Sequence, residues 1–374
     1  MRLAEAIAGF VLLSVVLWDA FEAIVLPRRV TRRFRLTRLF YRMTWIPWRA
    51  IGLTFRSGKT RESFFSFYGP LSLLALLVVW AIGLIAGFAM LVLAAGPPAH
   101  PYPHDFSWAT AMYISGTNFF TLGLDEVAPR TTLARILTVF EAGMGFGFLA
   151  IVIGYLPTIF SGFSKREVSV LLLDAHAGSP PTAAELLRRH AHPGGLDNLR
   201  NLFSEWERWS AELLDSHLSY PVLCYFRSQH DNESWLSALM AVCDACALTM
   251  VSIDGPTAIQ AQSTFAITRH AVVDLTQIFH EKPRAPKRDR LPPEQLQRIR
   301  KGLKHAGWAL REGPVEDQKL NDLRQMYEPS ANALGDFLCM ELPPWIHPPE
   351  IIAKWKSSVW GRISSALPDD AGLE

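Results

Sequence analysis

"NFFTLGLDEVAP", residues Asn118 to Pro129, is the stretch on which the fold turns. It is glycine-bearing, acid-rich and closed by a proline, and it stands between two long apolar segments. Upstream, "PLSLLALLVVWAIGLIAGFAMLVLAAG" runs from Pro70 to Gly96 without a charge, which exceeds the ~20 residues needed to cross the hydrocarbon of a bilayer. Downstream, a second uncharged run spans Ala142 to Ser164. Between them, "HDFSWATAMYISGTNFF" (His104 to Phe120) is mostly apolar and starts at an N-cap residue, Asp105 or Ser107. It is too short to cross and return, so it is expected to be a re-entrant helix. Irregular backbone after such a helix is tolerated at membrane depth only where protein buries it or where it lines a watery path.

A third span is expected at Leu3 to Leu26, interrupted by Asp19 and Glu22 and followed by the stop-transfer flank "PRRVTRRFR". Residues 27–69 hold ten arginines and one lysine against a single acid, Glu62, whereas residues 97–130 hold one basic residue, Arg130. The positive-inside rule then places 27–69 in the cytoplasm and 97–130 outside. The N-terminus is expected outside, with everything after about residue 164 cytoplasmic. The Arg-rich connector interleaves basic and aromatic residues, so it is expected on an anionic lipid surface, with Trp45 and Trp48 at headgroup depth.

The remainder of the chain differs in composition. Residues 1–163 carry 14 Lys and Arg against 8 Asp and Glu, and residues 164–374 carry 23 against 27. Neither balance suggests a nucleic-acid partner. Five stretches of the second part, beginning at Thr182, Leu196, Glu233, Thr257 and Pro292, repeat apolar residues every three to four positions, as helices do. "KPRAPKRDRLPP" (Lys282 to Pro293) reads as a linker, and "EVSVLLL" (Glu167 to Leu173) as the one strand-like piece. The four cysteines, Cys224, Cys243, Cys246 and Cys339, all lie in this part and are read as reduced thiols, with no second ligand pair for zinc. No nucleotide loop, catalytic triad or paired-carboxylate arrangement emerges. No cofactor and no resident metal are expected, and the chain is not expected to be an enzyme.

The fold expected is therefore an all-α membrane protein: three transmembrane helices, a re-entrant pore helix with its loop, and a mostly helical cytoplasmic C-terminal domain. The divisions are residues 1–69, first helix and connector; 70–163, pore domain; and 164–374, cytoplasmic domain.

The order of span, short helix, Thr-x-Gly, acid, proline and second span resembles the pore module of the tetrameric potassium-channel superfamily. That family's filter reads Thr-Val-Gly-Tyr-Gly-Asp; this chain has Thr121-Leu122-Gly123-Leu124-Asp125-Glu126. The resemblance covers about residues 70–160 and implies a homotetramer in the plasma membrane that passes K⁺ passively. Each chain would contribute carbonyls to rings that replace the ion's water. Asp125 stands where the family has its second glycine, which costs ~1–2 kcal/mol if the left-handed shape is kept. Leu124 replaces the usual aromatic. A weakly selective cation pore and a non-conducting oligomeric anchor are the alternatives. The same resemblance marks Gly143, Gly145, Gly147 and Pro157 as gating-hinge candidates, against close helix packing. Glu141, Asp19 and Glu22 are intramembrane acids and hence functional candidates. A hydrogen bond to the back of the pore helix is expected for Glu141. For Asp19 and Glu22, pairing with Arg28, Arg29 or Arg32 is expected.

Overall fold

A computed structural model describes residues 2–26, 35–56, 58–95, 107–123, 131–228, 233–286 and 288–347. No strand occurs among them. The chain divides into two compact units, one formed by Met1–Lys165 with Ser216–Arg227, the other by Arg166–Asp215 with Ser228–Glu374.

In the first unit, α1 (Arg2–Ala20) runs on into a π-helical turn, Phe21–Val25. Two shorter helices follow, α2 (Leu36–Gly52) and α3 (Lys59–Ser66), and then the long apolar α4 (Tyr68–Ala95). Helix α5 (Trp108–Phe119) is the short element before the loop, and α6 (Thr132–Ala177) follows the loop. Helices α1 and α4 pack antiparallel: Gly9 lies beside Gly87, while Asp19 lies beside Trp80. Small residues permit this close approach, as expected for helices that association in lipid must hold by packing rather than by hydrophobicity. A Cβ on Gly9 would come within 2.7 Å of the Gly87 carbonyl, and one on Gly87 within 2.7 Å of Leu13. The packing glycines of these two helices are not the ones the sequence pattern singled out.

The described part of the connector is largely helical, and Trp45 of α2 and Phe65 of α3 turn inward. Trp45 is 3% exposed and packs on Phe65, Tyr68 and Tyr225, so protein rather than lipid headgroups surrounds it. Trp48 stacks on Phe64. The outer face of α2 instead presents Leu39, Met43 and Ile46. Tyr225 reaches this cluster from far along the chain, through a 3-10 turn at Pro221–Tyr225. Its neighbours Val222, Leu223 and Phe226 join the core built on Trp80, Leu84 and Phe88. Arg227 completes the arrangement, lying over the Phe65 ring and 3.3 Å from the carboxylate of Glu62.

The second unit contains α7 (Ala183–Arg189), most of α8 (Gly195–Ser219), α9 (Trp235–Ser252), α10 (Pro256–Ile278), α11 (Pro293–His305), α12 (Pro314–Gln325) and α13 (Glu328–Leu338). The strand-like stretch Glu167 to Leu173 is helical, within α6. Val170 and Leu173 are its buried residues, and with Arg166 before it and Ala177 after it their spacing of three and four marks a helix face despite the β-branched content.

Among the described residues four segments are long and apolar enough to cross a membrane: Arg2–Val25, Lys59–Ala95, Thr132–Ala177 and Trp235–Ser252. The last is 94% covered by protein, against 11% for Thr132–Ala177. Helix α9 is thus the core of the second unit, hydrophobic all round because neighbours enclose it. Cys243 and Cys246 lie wholly inside it, where burial pushes both thiols well above their ordinary range.

The proline-rich segment Lys282 to Pro293 is not a free linker. Arg284 donates its amide to the Pro329 carbonyl at 2.9 Å. Arg290 enters a buried ionic cluster: its Nη2 lies 2.5 Å from Asp244 and its Nη1 3.0 Å from Glu328. Arg324 pairs with Glu328 at 3.1 Å and with Asp289. Tyr327 donates its hydroxyl to Asp244 at 2.5 Å.

Candidate functional site

The site is built at the C-terminal end of α5. Ser107 caps the start of this helix, its Oγ accepting from the Thr110 amide at 3.3 Å. Such a cap satisfies one of the amides that a helix start leaves open. Asp105 lies outside the described residues. Twelve residues later the helix ends in a reversal. Thr121 donates its amide to the Asn118 carbonyl at 3.0 Å, and Leu122 donates to Thr117 at 2.9 Å. This pair of bonds is a Schellman motif, in which the residue past the cap adopts a left-handed shape. Here that residue is Thr121, at φ 54. A left-handed β-branched residue stores strain on the order of 1–3 kcal/mol and persists only where its surroundings enforce it. Gly123 is also left-handed, at φ 61, and a Cβ there would meet nothing within 4 Å. Backbone shape, not space, is what glycine supplies at that position. Thr121, Leu122 and Gly123 are described and exposed; Leu124, Asp125 and Glu126 lie outside the described residues.

Helix α6 braces this turn from behind. Gly145 lies directly on the end of α5, where a Cβ would fall 1.8 Å from the Phe119 carbonyl oxygen. Any side chain at 145 would push α5 away, so this glycine serves close packing. One turn earlier, Glu141 is completely buried and bonded to two side chains of α5. Ser115 Oγ contacts its Oε1, and Asn118 Nδ2 donates to its Oε2 at 3.4 Å. Ser115 Oγ also lies 2.8 Å from the Ile85 carbonyl of α4. Three helices therefore meet on one buried carboxyl. The sequence marks Glu141 but gives no pointer to Ser115, Asn118 or Ile85, which lie 23 to 56 residues away.

Gly143 and Gly147 would meet nothing on gaining a Cβ. Both line an apolar groove of about 890 Å³, with Leu17, Ile24 and Phe140 among the other walls. Helix α6 continues unbroken through Gly143, Gly145, Gly147 and Pro157. Thr158 donates its hydroxyl to the Gly154 carbonyl at 3.1 Å, next to the proline that cannot donate.

Arg28, Arg29 and Arg32, the expected partners of Asp19 and Glu22, lie outside the described residues, and other groups bond to both acids. Asp19 accepts from the Thr37 amide at 3.1 Å, the Thr37 hydroxyl at 2.6 Å and Trp80 Nε1 at 3.0 Å. It ties α1 to α2 and α4 at one point. Glu22 accepts from Trp18 Nε1 at 2.7 Å and lies 3.6 Å from Arg35. Among the described residues no group of three His, Cys, Asp or Glu side chains is placed to hold a metal.

Comparison with known proteins matches residues 75–161 to a family described as ion channel. That stretch holds most of α4, all of α5, the loop and the first two-thirds of α6. The chain is also 25% identical over 186 residues to YdjJ, an uncharacterized membrane protein of Bacillus subtilis (strain 168). This similarity covers 48% of the chain and 52% of YdjJ, so the chain spans about half the length of that relative. No solved structure matches. The braced short helix and its strained turn thus lie inside the matched segment, so residues 75–161 are similar to an ion-channel domain, in a chain whose described elements are helical and include helices long and apolar enough to span a membrane.

Proposed function

We propose that the chain assembles as a homotetramer and passes cations passively, with K⁺ the preferred ion. The observation that carries this reading is the Schellman turn at the end of α5. It delivers Thr121-Leu122-Gly123 with left-handed backbone at Thr121 and Gly123, on a helix end held by Glu141 and Gly145 of α6. One chain can supply only a fraction of each carbonyl ring around an ion, so closed symmetry is required. The Thr121 hydroxyl and the carbonyls of Leu122, Gly123 and Leu124 would form the rings. Asp125 and Glu126 would concentrate cations at the mouth. Three segments, in α1, α4 and α6, would cross the plasma membrane, with the N-terminus outside and the second unit in the cytoplasm. The connector arginines would face anionic lipid, with Leu39, Met43 and Ile46 of α2 seated in the interface.

The test is a K⁺, Na⁺ and Rb⁺ flux series on purified protein in liposomes. Cation flux is expected, with K⁺ favoured and with Asp125→Gly increasing the K⁺ over Na⁺ preference. No flux from a confirmed tetramer would overturn the proposal. A permeability ratio near unity that Asp125→Gly leaves unchanged would assign the weakly selective pore instead, the reading favoured by an acid where the family has glycine.

A further inference from the structure

Proton counting at the point where α4, α5 and α6 meet bears on the chemical form of its carboxyl. Ser115 Oγ lies 2.8 Å from the Ile85 carbonyl oxygen and in still closer contact with Glu141 Oε1. A serine hydroxyl carries one hydrogen. Were Glu141 ionised, both neighbours of Ser115 Oγ would be pure acceptors competing for its one hydrogen. Two close acceptors sharing one hydrogen are each bound less well than by a hydrogen of their own, and the oxygens repel one another. If Glu141 carries a proton on Oε1, every contact is satisfied. The carboxyl donates to Ser115 Oγ, Ser115 donates to Ile85, and Oε2 accepts from Asn118 Nδ2 at 3.4 Å. Glu141 is 0% exposed, and no ion pair to it occurs among the described residues. An uncompensated charge at that depth is costly, whereas a neutral acid with all its bonds made is not.

We propose that Glu141 is a neutral, proton-bearing carboxyl in the folded protein and a positioning residue for the backbone at Thr121 to Gly123. The chain Ile85 carbonyl, Ser115, Glu141, Asn118 joins α4, α5 and α6 just ahead of the left-handed Thr121. Its polarity is defined: each donor points in one direction, and Asn118 also supplies the carbonyl that accepts the Thr121 amide. A strained turn needs surroundings that hold it, and this chain of bonds is what holds its root. The positioning role rests on the channel reading only for its consequence, ion preference; the proton and the ordering of the turn do not depend on conduction.

The experiment uses full-length protein in lipid and three variants, Glu141→Gln, Glu141→Ala and Ser115→Ala. Infrared difference spectra between wild type and Glu141→Gln at neutral pH should show a protonated-carboxyl carbonyl stretch that the variant lacks. Absence of that band would overturn the neutral assignment. Hydrogen exchange of the amides from Thr117 to Gly123 should rise about tenfold in Glu141→Ala and Ser115→Ala, and less than twofold in Glu141→Gln. Glutamine reproduces the neutral acid because its amide can donate to Ser115 while its oxygen accepts from Asn118. Equal exchange in all four proteins would overturn the positioning role, as would Glu141→Gln behaving like Glu141→Ala. If Glu141→Ala does not fold, Ser115→Ala carries the comparison. A wild type that passes no cations but shows the band and the exchange pattern would sink the channel reading and leave this inference standing.

Discussion

The meeting point of α4, α5 and α6 in the first unit and the core of the second bury carboxyl groups in opposite ways. In the first, Glu141 is enclosed by Ser115, Asn118 and the Ile85 carbonyl, all neutral groups. In the second, Asp244 and Glu328 are just as deeply enclosed but meet Arg290 and Arg324. There, burial and the facing Asp244 push the Glu328 carboxyl up, against the pull of the two arginines. The difference follows from the surroundings. Among the helices of the channel domain a cation partner would itself have to be carried into a low-dielectric environment, so a proton is the cheaper neutraliser. The helical second unit has arginines at hand in a segment it can fold over its core. A hydrogen-bonded neutral acid tolerates replacement by another neutral donor and acceptor; a charge cluster does not tolerate losing its cation.

The largest effect should come from breaking the charge cluster. Arg290→Met is expected to destabilise the second unit by ~3–5 kcal/mol, because Asp244 and Glu328 are left buried without their shared cation. Denaturant titration followed by tryptophan fluorescence would measure it; a change under 1 kcal/mol would remove the contrast between the two units. Next, Glu141→Ala should cost ~2 kcal/mol through the unsatisfied Ser115 and Asn118, while Glu141→Gln should cost well under 1. Equal losses in the two variants, read as detergent melting temperatures, would mean that the acid is held as an ion after all.

A third effect of similar size depends on pH. Burial opposes ionisation of Glu185, but the hydrogen bonds and charges of Arg188 and Arg189 prevail and hold its carboxyl at about 2, below the ordinary 4.5. Stability from this group is therefore fully present above about pH 4.5 and is lost as the pH falls toward 2. Glu185→Gln should cost ~2 kcal/mol at pH 7 and almost nothing near pH 2. A pH-independent difference between wild type and variant would show that packing, not charge, is what Glu185 supplies. The smallest effect is expected at the surface pair Lys304–Glu312, separated by 2.6 Å with the lysine half-exposed. Lys304→Ala should change stability by less than ~0.5 kcal/mol. A larger loss would show that exposed pairs matter in this unit as buried ones do.

How far these features could be read in advance depended on how local they are. The apolar segments from Pro70 and from Ala142, and the short helix between them, were legible because hydropathy adds up over twenty neighbouring residues. The helices starting near Thr182, Leu196, Glu233, Thr257 and Pro292 were legible by their apolar period. Helices α12 and α13 were not identified, since each is short and α12 has few apolar positions; Pro314 at the start and the acids after it were the available signal. The strand-like stretch at Glu167 failed because Val and Leu content was weighed above spacing. The proline-rich segment failed for another reason. Its composition is that of a linker, but Arg290 finds Asp244 across 46 residues, and no window of sequence contains both.

By itself the sequence determined that the chain enters a membrane, where its apolar segments lie, and that a short helix with Thr121 and Gly123 at its end stands between two of them. These are properties of contiguous residues, and hydrophobic free energy and backbone preference act on contiguous residues. Only the tertiary structure decided that Trp45 faces protein, that Gly145 is a contact point for α5, that Tyr225 returns to the first unit, and that Ser115 stands between Ile85 and Glu141. Those facts depend on which helix faces meet, and that is settled by packing over the whole unit rather than by any stretch of it.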